Sequence, residues 1–186
     1  MKNTLETNNI PANDTNRVAV LKRYQILDTA PEKSFNNIAK LATLLFELPI
    51  SLISFIDTDS VFLKAQIGVE GHTHTPRGNS LCSTALLTNK VTVFEDIPKM
   101  DPCLLINPAL VAELGFNFYA GAPITTPDGF RIGVICVIGN EKRSFSEKDK
   151  ELLQALAQIV MDGIETRYKG IFDTEQKLTG TDHRLP

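Results

Sequence analysis

Three cysteines, Cys82, Cys103 and Cys136, and two histidines, His72 and His74, are the side chains of this sequence whose types and spacing bear most directly on chemistry. Cys82 follows a long polar stretch and opens a short helix expected over 81–87. The positive end of a helix dipole lowers a thiol pKa, so Cys82 is the thiol worth testing. Cys136 sits inside the unbroken apolar run from Ile132 to Ile138 and is expected in the core. Three is an odd number and no C-x-x-C occurs, which indicates neither a disulfide framework nor a zinc knuckle. His72 and His74 are two apart, so in an extended segment both imidazoles point the same way, as in a two-ligand metal edge. No carboxylate or thiol within a few residues completes a site, and a solvated loop is the expectation, with no metal; His183, near the end, is uninformative. The chain contains no nucleophile elbow, phosphate-binding glycine loop, zinc-protease helix or paired acid–base set, so a non-enzymatic role is expected.

The elements that must position these groups are dominated by the stretch from Phe118 to Ile138, two apolar strands joined at Thr126-Pro127-Asp128-Gly129. Pro127 presets φ for a turn, and Gly129 tolerates the left-handed conformation that returns the chain as a hairpin. The first strand places Phe118, Ala120, Ala122 and Ile124 on one face and Tyr119, Gly121, Pro123 and Thr125 on the other. The second is apolar or glycine on both faces, hence central and covered on both sides. Gly121 and Gly133 permit close approach by another segment or a small ligand.

Residues 1–16 are polar and without apolar period, and read as a disordered leader. A helix is expected over 17–27 with Val20, Tyr24 and Leu27 on one stripe, followed by a capping box at Thr29-Ala30-Pro31-Glu32. Phe35, Ile38, Ala39, Ala42, Leu45 and Phe46 then recur at helical spacing until Pro49. Strands over 50–56 and 61–67 form a hairpin through Asp57-Thr58-Asp59; 68–80 is a long loop, 91–95 another strand and 98–112 an irregular crossing. Ser146 with Asp149 opens the strongest helix, whose apolar residues cover more than one stripe and leave area for a second partner, foremost another subunit's helix. After Arg167 the period fades, and 169–186 reads as a flexible tail.

The expected fold class is therefore α+β, an α/β sandwich. An antiparallel sheet of about five or six strands carries the terminal helices on one face. Loops and short helices from 68–117 enclose a small-molecule cavity on the other. The chain has 186 residues, 42% of them hydrophobic and 22% charged, enough for one good core. A net charge of −3 without a run of Lys or Arg gives no footprint for nucleic acid or an anionic membrane. The N-terminus lacks an apolar core segment, and the stretch from Leu41 to Ile56 is broken by Glu47 and Pro49, so the cytoplasm is the expected location.

Several pieces, in order, resemble the GAF domain family. They are Ile26 to Glu32, Leu48 to Asp57, Ser80-Leu81-Cys82, Asp96, Asn107-Pro108, Phe118 to Pro123 and Gly133 to Ile138, and the likeness spans 17–168. The resemblance implies a PAS-like fold with helices that often dimerise, here 17–27 and 146–167. It also implies a sensory or regulatory module, expected to act on a separate partner such as a kinase or cyclase. It names no particular cofactor or ligand. Asn140, Lys142, Phe145 and Asp149 are similar to a cyclic-nucleotide-binding signature of the family. Glu141 intervenes, however, and Lys150 stands where a Glu belongs, so the expected content is a Lys142–Asp149 ion pair rather than a nucleotide site.

The family-like layout places Arg77, Ser80, Cys82, Asp96, Asn107, Tyr119 and Gly121 around the cavity. Arg77 would hold an anion as a fork, Ser80 and Asn107 would orient it, and Tyr119 would stack or donate its hydroxyl. Asp96 and Asn107 serve equally well as caps of turns. The alternatives to sensing are a dimerisation unit with a filled cavity and a thiol enzyme. The latter rests on a similarity to free methionine sulfoxide reductases of the same fold, with Cys82 as the catalytic thiol and Cys103 as its resolving partner. That pattern's additional Cys and flanking glycines are absent, as is the Cys-His pair of bilin-binding relatives.

Overall fold

Thr126 and Asp128 close the central hairpin as their types demand: Gly129 N–H donates to Thr126 O at 2.9 Å, Gly129 has φ +88°, and the Thr126 hydroxyl binds Asp128 Oδ1 at 2.6 Å. The computed structural model describes residues 10–69, 71, 73–100 and 113–180. Six strands form one antiparallel sheet: β1 (Ile50–Ile56), β2 (Ser60–Ile67), β3 (His74–Pro76), β4 (Thr92–Phe94), β5 (Phe118–Thr125) and β6 (Arg131–Gly139), in the order β3-β2-β1-β6-β5-β4. The expected spine hairpin, β5–β6, pairs Tyr119 with Ile138 and Gly121 with Cys136, and β6 is central and buried on both faces.

One face carries α1 (Asp14–Arg23), α2 (Lys33–Phe46) and the last helix, α4 (Glu147–Gly180). Phe35, Ala39 and Phe46 of α2 and Leu153, Ala157 and Val160 of α4 pack there against Phe118, Ala120, Ala122 and Ile135. The other face is covered by α3 (Leu81–Ala85) and a 3₁₀ turn at Ile97–Lys99, whose Leu81, Ala85 and Ile97 lie over Tyr119, Val134 and Ile138. Helices and irregular segment thus occupy opposite faces, as expected from their places in the chain.

Several local expectations are corrected. The first helix starts at Asp14, and its buried stripe is Arg17, Leu21 and Tyr24, with Val20 and Leu27 only half-buried. An inward guanidinium is invisible to apolar periodicity. Arg17 turns in because Nε meets Asp14 Oδ1 at 2.7 Å and Nη1 donates to Ile56 O at 2.5 Å. No capping box forms at Thr29–Glu32. The fully buried Lys64 ammonium claims that segment instead, donating to Thr29 Oγ1 at 2.6 Å, Ala30 O at 2.7 Å and Glu32 Oε1 at 2.7 Å. The helix α2 ends before Pro49, with Glu47 in the left-handed conformation. The loop expected over 68–80 contains β3, which hydrogen-bonded pairing with Ser60–Phe62 supplies without an apolar period. The capping box at the start of α4 does form, since Asp149 N–H donates to Ser146 Oγ at 3.1 Å and Ser146 N–H to Asp149 Oδ2 at 2.9 Å. Asp149 is thereby committed to the cap, and the expected Lys142–Asp149 pair is not found. Helix α4 also runs past Arg167 to Gly180: its backbone bonds continue where its contact with the sheet, and with it the apolar period, stops.

Candidate functional site

The Tyr119 face of the sheet gathers most of the reactive side chains. Ser80 is the N-cap of α3, its Oγ accepting from Cys82 N–H at 3.3 Å, which fixes Cys82 in the first turn. Cys82 Sγ then lies 3.7 Å from Cys136 Sγ on β6, both thiols being buried. Ser54 of β1 shares this face and donates its hydroxyl to Val134 O at 3.1 Å. The Tyr119 hydroxyl lies over Gly121, so a Cβ there would strike it. It is buried without a hydrogen-bond partner at ordinary distance.

A hydrogen bond from the Cys136 thiol draws Cys82 below the ordinary thiol value against the upward push of burial, with Ser54, Tyr119 and Ser80 assisting. The same contact, together with burial, raises Cys136. Burial, then the charge either sulfur would carry, raises Tyr119, which stays protonated and able to donate. The arrangement is a dithiol with one neighbouring hydroxyl whose proton has no other acceptor.

Other expected site residues are employed elsewhere. Arg77 is buried and reaches Asp14 Oδ2 at 2.7 Å and Oδ1 at 3.0 Å, and the carbonyls of Asp57 and Thr58 at 3.1 and 3.2 Å. It therefore clamps the first helix to the β1–β2 turn and its fork is not free for an anion. Asp96 pairs with Lys99 at 3.0 Å across its own 3₁₀ turn. His74 pairs with Asp28 at 2.8 Å, and the described residues contain no group of three metal-ligating side chains. His72, Cys103 and Asn107 lie outside the described residues.

The expected enclosure beneath 68–117 is filled, among the described residues, by Leu81, Leu86, Ile97 and Tyr119. Two surface clefts lie away from it. One, of about 470 Å³, is bounded by Glu47 to Pro49 and Gly139 to Arg143; the other, of about 430 Å³, lies between Tyr24, Pro127 and Glu165. Cys136, read from the sequence only as core, is the group that reasoning missed. Its signal was available in the hairpin register, which sets it opposite Gly121 and on the face of Tyr119.

The profile of the GAF domain family matches residues 30–164. A cyclic di-GMP phosphodiesterase of Pseudomonas aeruginosa is 34% identical over 157 residues, which are 84% of this chain and 26% of that protein. A diguanylate cyclase of Escherichia coli is 29% identical over 86 residues, 46% of this chain and 24% of that one. The chain thus spans about a quarter of the length of these curated relatives. Among solved structures, the free methionine-R-sulfoxide reductase of Neisseria meningitidis with its substrate superposes with a TM-score of 0.61 at 18% identity, covering 83% of this chain and 93% of that one. At that identity the likeness is one of fold.

Proposed function

This chain belongs to the GAF domain family, and from that premise we propose that it is a regulatory module without catalysis of its own, acting through its last helix on an enzyme of cyclic di-GMP turnover. The observation that carries the reading is the form of α4. Its first half is locked to the sheet by Leu153, Leu156, Val160 and Ile164, and its second half continues to Gly180 past that contact. At the point of departure Arg167 Nε donates to Glu32 Oε1 at 3.0 Å and Nη1 to Tyr24 O at 3.1 Å. Glu32 holds Lys64 of β2, so a change in the sheet reaches the helix through three charged groups. The named relatives motivate the choice of output.

The input belongs to the Tyr119 face. A small-molecule ligand between the sheet and 68–117 would replace part of the Leu81, Leu86 and Ile97 layer and bind the free Tyr119 hydroxyl. Native mass spectrometry of the freshly purified chain tests it, and release of a bound metabolite is the expected result. Pairing of two copies would use α2 and α4 rather than α1. Leu41, Leu44 and Leu45 of α2 and Ile159 and Phe172 of α4 are exposed, whereas Val18 and Leu21 of α1 are buried. The reductase alternative has less support, since Cys82 is buried against Cys136.

The output is tested by a chimera in which this chain replaces the matching segment of the P. aeruginosa phosphodiesterase. Arg167→Ala is expected to change cyclic di-GMP hydrolysis several-fold with the catalytic segment untouched. A rate indifferent to Arg167→Ala and equal to that of the enzyme deleted for the segment would remove the basis of the proposal.

A further inference from the structure

We propose that Cys82 and Cys136 form a redox site at which a hydroperoxide converts the buried dithiol into a disulfide joining α3 to the central strand β6. The sulfurs stand 3.7 Å apart, and a disulfide needs about 2.05 Å, so the pair is one side-chain adjustment from bonding. Cys136 is fixed within the sheet; Cys82 is the mobile partner, on a helix of five residues capped by Ser80. Local opening of so short an element costs less than opening the sheet, which gives a small oxidant its path to a thiol otherwise buried. The surroundings also differ from those of inert core cysteines. Tyr119 keeps a fully buried hydroxyl without a hydrogen-bond partner, an arrangement that ordinarily destabilises a fold, beside two sulfurs able to use its proton.

The chemistry balances in two steps. The Cys82 thiolate attacks one oxygen of the hydroperoxide; an S–O bond forms, the O–O bond breaks, and the alkoxide or hydroxide leaving group takes up the proton Cys82 released. Cys82 is now a sulfenic acid. The Cys136 sulfur attacks Cys82 Sγ, the S–S bond forms, the S–O bond breaks, and hydroxide leaves as water with the Cys136 proton. Two thiols have lost two electrons and two hydrogens, and the hydroperoxide has been reduced to an alcohol, or water, plus one further water. Tyr119 is placed to hydrogen-bond the oxygen held on Cys82 between the steps.

The test is oxidation of the full chain with hydrogen peroxide, followed by alkylation, digestion without reductant and peptide mapping by mass spectrometry. The expected product is a Cys82–Cys136 linked peptide, lighter by two hydrogens than its reduced components and lost on treatment with dithiothreitol. In Cys136→Ser, shown to be folded by its thermal transition, dimedone is expected to label Cys82 as trapped sulfenic acid. Should wild-type Cys82 pair instead with Cys103 or with a second chain, or should Cys82 and Cys136 both stay alkylatable after Cys103 has been modified, the proposal is overturned. The map reads only the sulfurs of this chain, so it succeeds or fails independently of the phosphodiesterase chimera.

Discussion

Asp14 carries more of the structure than its place near the polar leader suggests. Its carboxylate is the shared partner of the buried Arg17 and Arg77 guanidiniums, the first helix and the β1–β2 turn being joined through it. Burial pushes its pKa up, but hydrogen bonds from Arg77 and Arg17 and their charges outweigh that and hold it below the ordinary 3.8. A depressed carboxylate contributes stability that is complete above 3.8 and is lost as pH falls through the lower folded value. Asp14→Asn should therefore cost about 3 kcal/mol near neutral pH, since it leaves two buried cations with a neutral partner. The gap from wild type should narrow in urea titrations taken progressively below pH 3.8. A gap that stays constant over that range would show that Asp14 does not act through its charge. The clamp was not legible in the sequence, because Arg77 lies far along the chain from Asp14 and no local pattern ties an arginine to so distant a carboxylate.

At the scale of elements, α4 divides into a half that stabilises the fold and a half that does not. Ser146→Ala removes the N-cap acceptor and should lower stability by about 1 kcal/mol. Truncation after Gly170 removes residues that pack little on the sheet and should move the thermal midpoint by less than about 2 °C. A large loss on truncation would mean that the outgoing half belongs to the core. Elements whose burial follows a single period were legible: β1, the β5–β6 hairpin, α2 and the start of α4 all appear where alternation or helical spacing sets them. Elements defined by partners were not. The edge strand β3 exists through pairing with β2, and the Thr29–Glu32 segment was misread because Lys64, a residue of β2, supplies what a capping box would have supplied. For the site the same division holds. Ser80 and Cys82 were readable as the start of a helix, while the meeting of Cys82 with Cys136 depends on how α3 lies across the sheet.

For the whole molecule, the face bearing α2 and α4 is the one suited to association. Leu41, Leu44 and Leu45 stand on α2, with Leu44 64% exposed, and Ile159 and Phe172 stand on α4. Light scattering of the wild type should give the mass of two chains, and Leu44→Glu should shift it to one without altering the thermal transition of the monomer. Equal masses for both proteins would place pairing elsewhere or abolish it. No helix among the described residues is long and apolar enough to cross a membrane, so these exposed groups are not part of a spanning segment. The sheet itself ends in β3 and β4, each only three residues long. Margins so brief offer few free backbone groups to an incoming chain and make poor templates for strand addition. Two copies can thus meet through their helices while their sheets stay separate, and crowding the protein would favour discrete pairs over fibres.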